Sequence, residues 1–173
     1  MNSYDNDEMH TSISQINNKR LKRELEFHIL GKYRDKKIYQ DVEDSIVIDF
    51  SQNFVDFLIL TTTKMVKVRI KIYDGYPWRK PIVYLNDKPY DSILHVPNKF
   101  LKNIGIHYEC MCCQSILCDW NPMRKLHHIL DEVAHNLEIR TRVVNYILCE
   151  KWLKNIFDND AFDDVQKYIL RFI

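Results

Sequence analysis

The chain has 173 residues, enough for one domain with its own core plus a terminal extension. Its 25 basic and 24 acidic side chains leave a formal charge of +1, which excludes the basic field of a nonspecific nucleic-acid binder. No apolar run approaches the roughly 20 residues of a membrane span, and the polar, acidic start carries no signal-peptide core.

In chain order, residues 1–16 show no apolar period and are expected to be a flexible N-terminal segment, with one domain over residues 17–173. Asn17 or Asn18 can cap a helix on which Leu21, Leu25 and Ile29 recur every four residues, ending at Gly31. Lys19, Arg20, Lys22 and Arg23 form its basic side, which is either solvated surface or a partner-binding face. Three strands are predicted next: Ile46, Ile48 and Phe50 on one face of the first, the apolar run Phe54 to Leu60, then Val66, Val68, Ile70 and Ile72 alternating with Lys67, Arg69 and Lys71. The short Thr61 to Lys64 connection makes the second and third a hairpin. Asp74-Gly75 turns the chain, and Pro77 and Pro81 predict a rigid extended crossing into a fourth strand, Ile82 to Leu85.

Asn86 to Glu109 reads as a long irregular loop punctuated by Pro89, Pro97 and Gly105, with a helical turn over Lys99 to Lys102. Beyond it, Asn121 is the expected N-cap and Pro122 the first residue of a helix with Met123, Leu126, Ile129, Leu130, Val133 and Leu137 inside. A second helix is predicted on Ile139, Val143, Ile147 and Trp152, and a third, after Asp160, on Phe162, Val165, Ile169 and Phe172. Helix, antiparallel meander, loop, then helices is an α+β order.

Between loop and helices lies Cys110-Met-Cys-Cys-Gln-Ser-Ile-Leu-Cys118-Asp-Trp-Asn-Pro122, holding four of the five cysteines. This clustering resembles no spaced disulfide framework, so free thiols in a reducing compartment, cytoplasmic or nuclear, are expected. Three readings stand side by side. A thiol near a helix start can act as a nucleophile, because the positive end of the helix dipole favours the thiolate. Alternatively Cys110, Cys112 or Cys113, Cys118 and His107 can hold a structural zinc, although paired Cys-x-x-Cys units are absent. Or the cysteines are small inert core residues. His127 and His128 read as helix residues rather than ligands.

Two motifs then point to a family. Tyr76-Pro77-Trp78-x-x-Pro81-x-Val83 resembles the Tyr-Pro-Phe-x-x-Pro-x-Val of ubiquitin-conjugating enzymes, and Cys113-x-x-Ile116-Leu117 with Trp120-x-Pro122 resembles their Cys-Leu-Asp-Ile-Leu and Trp-Ser-Pro. The resemblance implies a ubiquitin-conjugating-like fold: an N-terminal helix, a four-stranded antiparallel meander, a long active-site loop and C-terminal helices. It also implies an acyl-transfer activity, in which a cysteine takes ubiquitin or a ubiquitin-like modifier from an activating enzyme as a thioester and passes it to lysine. No cofactor is implied, the partners are the modifier, the activating enzyme and a ubiquitin ligase, and a monomer is expected. Matching Cys-x-x-Ile-Leu selects Cys113 as the carrier, whereas counting back from Trp120 by the family's usual spacing selects Cys112. His95-Val96-Pro97-Asn98 resembles the family's His-Pro-Asn with one residue inserted, which offers Asn98 as oxyanion donor. The family's Pro-Tyr-x-Gly-Gly is absent, and Glu109 and Asp119 would oppose a nearby thiolate. By the same resemblance, Lys19, Arg20, Lys22 and Arg23 would meet the activating enzyme and Tyr76, Pro77 and Trp78 the ligase. A catalytically inactive domain that binds ubiquitin or another partner is the alternative. Scarce glycine, 3 residues, beside abundant Asn, Lys and Ile suggests the hypothesis of AT-rich coding, as in a large DNA virus or a protist; a GC-balanced coding sequence would refute it.

Overall fold

Asn18 opens the first helix by capping it: its Oδ1 accepts from the amides of Arg20 and Leu21 at 3.1 and 3.0 Å, satisfying two donors that a helix start leaves orphaned. Helix α1 (Lys19–Arg23) widens into a π-helical segment (Glu24–Ile29), with Leu21 and Leu25 buried. The computed structural model describes residues 16–29, 46–49, 53–60, 65–107 and 110–156. The expected lead-in up to Gln15, the stop at Gly31, Phe50, the Thr61 to Lys64 connection, Glu109 and the third C-terminal helix lie outside those residues, whereas Ile16, expected to end the flexible segment, is buried in the core.

The fold is α+β, with a four-stranded antiparallel meander of β1 (Ile46–Asp49), β2 (Phe54–Leu60), β3 (Met65–Lys71) and β4 (Ile82–Leu85) in sequential order. Register sets Val55 opposite Ile70 and Phe57 opposite Val68, so one face is apolar throughout. Val55, Phe57, Ile59, Val66, Val68, Ile70, Val83 and Leu85 are all buried there. The apolar run of β2 is therefore one-sided: Asp56 points outward, between Lys67 and Arg69 at 2.8 Å each. Burial pushes the Asp56 carboxyl up, but hydrogen bonds and charge from Arg69 and Lys67 outweigh it and hold the group below its usual range.

A fifth strand, β5 (Lys88–Pro89), completes the sheet. It follows a tight turn in which Asn86 and Asp87 both have positive φ, 46° and 63°, the left-handed pair that a two-residue hairpin needs. Proline is tolerated in β5 because this is the sheet edge. A 3-10 turn (Tyr90–Ile93) and helix α2 (Asn98–Asn103) order part of the stretch expected to be irregular. Gly105, at φ 79°, ends α2: its amide bonds Lys102 O and the Ile106 amide bonds Leu101 O, the paired closure that favours glycine.

The crossing before β4 also departs from expectation. It is wound into turns, with Tyr76 N bonding Tyr73 O and Arg79 N bonding Gly75 O, and its Tyr76-Pro77 peptide is cis.

Helix α3 (Met111–Gln114) precedes one unbroken helix, α4 (Leu126–Ile156), where two were expected. No glycine or proline lies between Leu126 and Ile156 to interrupt it. At about 1.5 Å per residue it runs about 46 Å. Leu126, Ile129, Leu130, Val133, Ile139 and Val143 pack on the core, and beyond them Val144, Leu148 and Trp152 are exposed. Among the described residues no helix is long and apolar enough to cross a membrane.

Helix α4 does not start at Pro122, and the reason is specific. A helix through Pro122 would bond the Leu126 amide to the Pro122 carbonyl. Instead Arg20 Nη2 takes the Pro122 oxygen at 3.2 Å, and Glu24 Oε2 takes the Leu126 amide at 2.8 Å. Asn121 caps only a turn, accepting from Met123 N at 3.0 Å. Glu24, 1 % exposed, also accepts from Arg20 Nε and from Tyr76 Oη at 2.7 Å, so one carboxylate joins α1, the crossing and α4. Losing it would strand three donors. Glu24→Ala is predicted to cost about 2–3 kcal/mol, whereas Lys22→Ala, which breaks a half-exposed pair with Glu26 at 4.0 Å, costs less than about 0.5 kcal/mol; urea-unfolding midpoints measure both.

Candidate active site

Helix α3 is a single turn, and the pitch of a helix decides what it shows. Met111 is 1 % exposed and anchors the turn in the core; two residues on, about 200° around the axis, Cys113 is exposed. Cys110 and Cys112 are half-buried between these extremes and are joined by a disulfide, with a Cα separation of 5.4 Å. That link encloses only Met111, so it constrains one turn rather than the fold. It also corrects the expectation that the whole cluster is free: Cys113 and Cys118 are free and exposed, and Cys149 is free and half-buried.

The loop after α3 is pinned from three sides. Leu117 is buried and Ile116 packs against the core. Glu132, on α4, reaches across: Oε1 accepts from Ser115 Oγ at 2.7 Å and Tyr90 Oη at 2.9 Å, and Oε2 from the Ile116 amide at 2.6 Å. Asn136 donates to the same Tyr90 oxygen at 2.6 Å. Burial, then the Glu132 carboxylate, pushes the Tyr90 phenol far above its ordinary range, so it remains a donor. Trp120 Nε1 donates to Pro77 O at 2.8 Å, its ring lies 6.0 Å from that of Tyr76, and Lys80 Nζ reaches Leu117 O at 3.4 Å. The crossing and the cysteine segment thus form one corner of the molecule.

No family model, curated protein or solved structure matches this chain.

The remaining candidates are distributed unevenly around this corner. Trp78 is 81 % exposed and available to a partner, but Tyr76 is 4 % exposed and spends its hydroxyl on Glu24, so its ring is core rather than contact surface. Pro77 contributes its carbonyl to Trp120. Of the basic residues, Lys19 and Arg23 are exposed; Arg20 is turned inward as a tie to Glu24, Pro122 and Arg124, and Lys22 is half-buried. Asn98 is the first residue of α2; its Oδ1 is buried without a hydrogen-bond partner, and no hydrogen bond joins it to the cysteine segment among the described residues. Asp119 is exposed and faces Arg124 at 3.9 Å.

The sulfurs of Cys110, Cys112 and Cys113, the first two bonded to each other, lie within 4.8 Å of one another, a set that includes neither Cys118 nor His107. Cys118 Sγ instead donates to Cys112 O at 3.0 Å. The positive end of α4, expected to face a thiol, is occupied by Glu24 at Leu126 N and by His128, whose Nδ1 accepts from Lys125 N at 3.2 Å.

Sequence reading missed Glu24, Glu132 and Ser115. The two carboxylates leave a faint signal: each stands three residues after an inward apolar residue, Leu21 or Ile129, and just before another, Leu25 or Val133. An acid there flanks the buried stripe.

Unreduced protein is predicted to show two fast-reacting thiols toward an aromatic disulfide reagent, one removed by Cys113→Ser and one by Cys118→Ser, with Cys149 slower. Peptide mapping of the labelled sites measures it.

Proposed function

We propose that the chain is a divergent ubiquitin-conjugating enzyme with a ubiquitin-conjugating-like fold, carrying ubiquitin or a ubiquitin-like modifier as a thioester on Cys113. The observation that supports this most is the outward, free Cys113 on a turn anchored by Met111, in a segment bonded through Trp120 to the proline-bearing crossing. Transfer needs an accessible thiol more than a strong base, because thiolate is both a good nucleophile and a good leaving group. The Cys113 thiolate attacks the modifier's C-terminal thioester on the activating enzyme and expels that enzyme's thiolate. A lysine amine then attacks the new thioester, an amide forms, Cys113 leaves as thiolate, and the amine's proton passes to solvent. Cys112 is the lesser candidate because its sulfur is bonded to Cys110. Exposed Lys19, Arg23 and Trp78 are the residues left to meet the activating enzyme and a ligase.

A second reading, a noncatalytic module that binds ubiquitin or another partner, is favoured by Asn98, which belongs to α2 and makes no hydrogen bond to the cysteine segment among the described residues. One assay separates the two. The full chain is mixed with ATP and a panel of modifiers, each with its own activating enzyme, and run on a gel without reductant. The catalytic reading predicts an adduct that thiols cleave, absent in Cys113→Ala and present in Cys112→Ala. The reverse pattern would move the acyl group to Cys112, and folded protein without any adduct would leave the binding module.

A further inference from the structure

We propose that Cys110, Cys112 and Cys113 are a three-thiolate site for one thiophilic divalent cation, of the zinc type, which is available when the Cys110–Cys112 disulfide is reduced and abolished when it forms. The geometry carries this. Zinc holds thiolate sulfur at about 2.3 Å in a tetrahedron, which sets neighbouring sulfurs about 3.8 Å apart. Cys112 and Cys113 Sγ are 3.8 Å apart, and Cys110 Sγ, bonded to Cys112 in the oxidised state, completes a set of three sulfurs within 4.8 Å. An all-sulfur donor set selects a soft or borderline cation over magnesium or calcium.

The backbone explains why these three residues converge and why the site is open. Cys110 is extended, at φ −153°, and ends the loop at the start of α3; Cys112 and Cys113 follow on the turn that buried Met111 anchors. Cys113 faces solvent, so the ion has a route in and a fourth position for water. Cys118 lies outside the set, its sulfur not being among the three that fall within 4.8 Å of one another.

The two states interconvert with a defined balance. A small dithiol reductant gives two electrons and two protons to the Cys110–Cys112 bond and is itself oxidised to a disulfide. The three thiols then release three protons as the cation binds. Because the ion takes Cys113, metal loading would also block acyl carriage; that consequence alone rests on the proposed conjugating activity.

The test reads metal rather than conjugation. The full chain is reduced with a phosphine, cleared of metal, and titrated without oxygen with Co²⁺ and then Zn²⁺. One equivalent of cobalt should give intense near-ultraviolet thiolate charge-transfer bands that zinc abolishes, and the unreduced protein should give none. Each of Cys110→Ser, Cys112→Ser and Cys113→Ser should weaken binding by more than the roughly hundredfold that loss of an outer-shell partner brings. Cys118→Ser, Cys149→Ser and His107→Ala should leave it unchanged, and urea-unfolding midpoints confirm that the variants fold. Failure of the reduced wild-type chain to bind, binding undiminished in Cys113→Ser, or loss in Cys118→Ser would each overturn the assignment. A negative result in the conjugation assay leaves this one untouched.

Discussion

A carboxylate withdrawn from water, wholly as Glu24 or in part as Glu132, demands donors, and this molecule uses that demand to join segments far apart in sequence. Glu24 gathers Arg20, Tyr76 and the Leu126 amide; Glu132 gathers Ser115, Tyr90 and the Ile116 amide. Three of these donors are side chains from other segments, and two are backbone amides of the Cys110–Leu126 stretch. Apolar packing supplies most of the stabilisation, since Leu25, Ile59, Val68, Ile70, Leu101, Leu126, Leu130 and Val133 have no exposed surface. It is non-directional, however, and does not specify where an irregular loop lies. Charge-assisted hydrogen bonds do.

The consequence for chemistry is a presented thiol. With Ser115 and Ile116 tied to α4, and Trp120 to the crossing, the one-turn helix before them has little freedom to roll. Met111 then stays in and Cys113 stays out. The Cys110–Cys112 bond and the shared turn bring three sulfurs within 4.8 Å, so the proposed acyl-carrier and metal-site readings both fall on this one turn. The proposed metal site excludes the other two uses, because it takes both the Cys112 and the Cys113 sulfur, whereas the disulfide and an acyl group on Cys113 occupy different sulfurs.

Much of the fold was legible because it follows periods. Val66, Val68 and Ile70 alternate with charged residues and are buried as β3, and Asn18 caps as its residue type suggests. What was illegible depended on partners distant in sequence. Asn121-Pro122 has the residue types of a helix start, yet Arg20 and Glu24, about a hundred positions earlier, take the carbonyl and the amide that such a helix would pair. Tyr76, which the family resemblance assigns to a ligase contact, is buried instead because Glu24 claims its hydroxyl. The Asn86-Asp87 hairpin was hidden because aspartate replaces the glycine that marks such turns best. At the site, Ile116 and Leu117 were readable as the motif that follows Cys113, and both pack on the core, whereas the clustered spacing gave no sign of the Cys110–Cys112 disulfide.

The central claim is that two carboxylates set the course of the cysteine segment, and the Ile116 amide tests it most directly. That amide lies in a turn, where exchange with solvent is ordinarily fast, but it donates to Glu132 at 2.6 Å. Native-state hydrogen exchange followed by NMR should find it protected to the level of the α4 interior, with protection lost in Glu132→Ala. Exchange at the rate of an open loop in the wild-type chain, or protection that survives Glu132→Ala, would contradict the account.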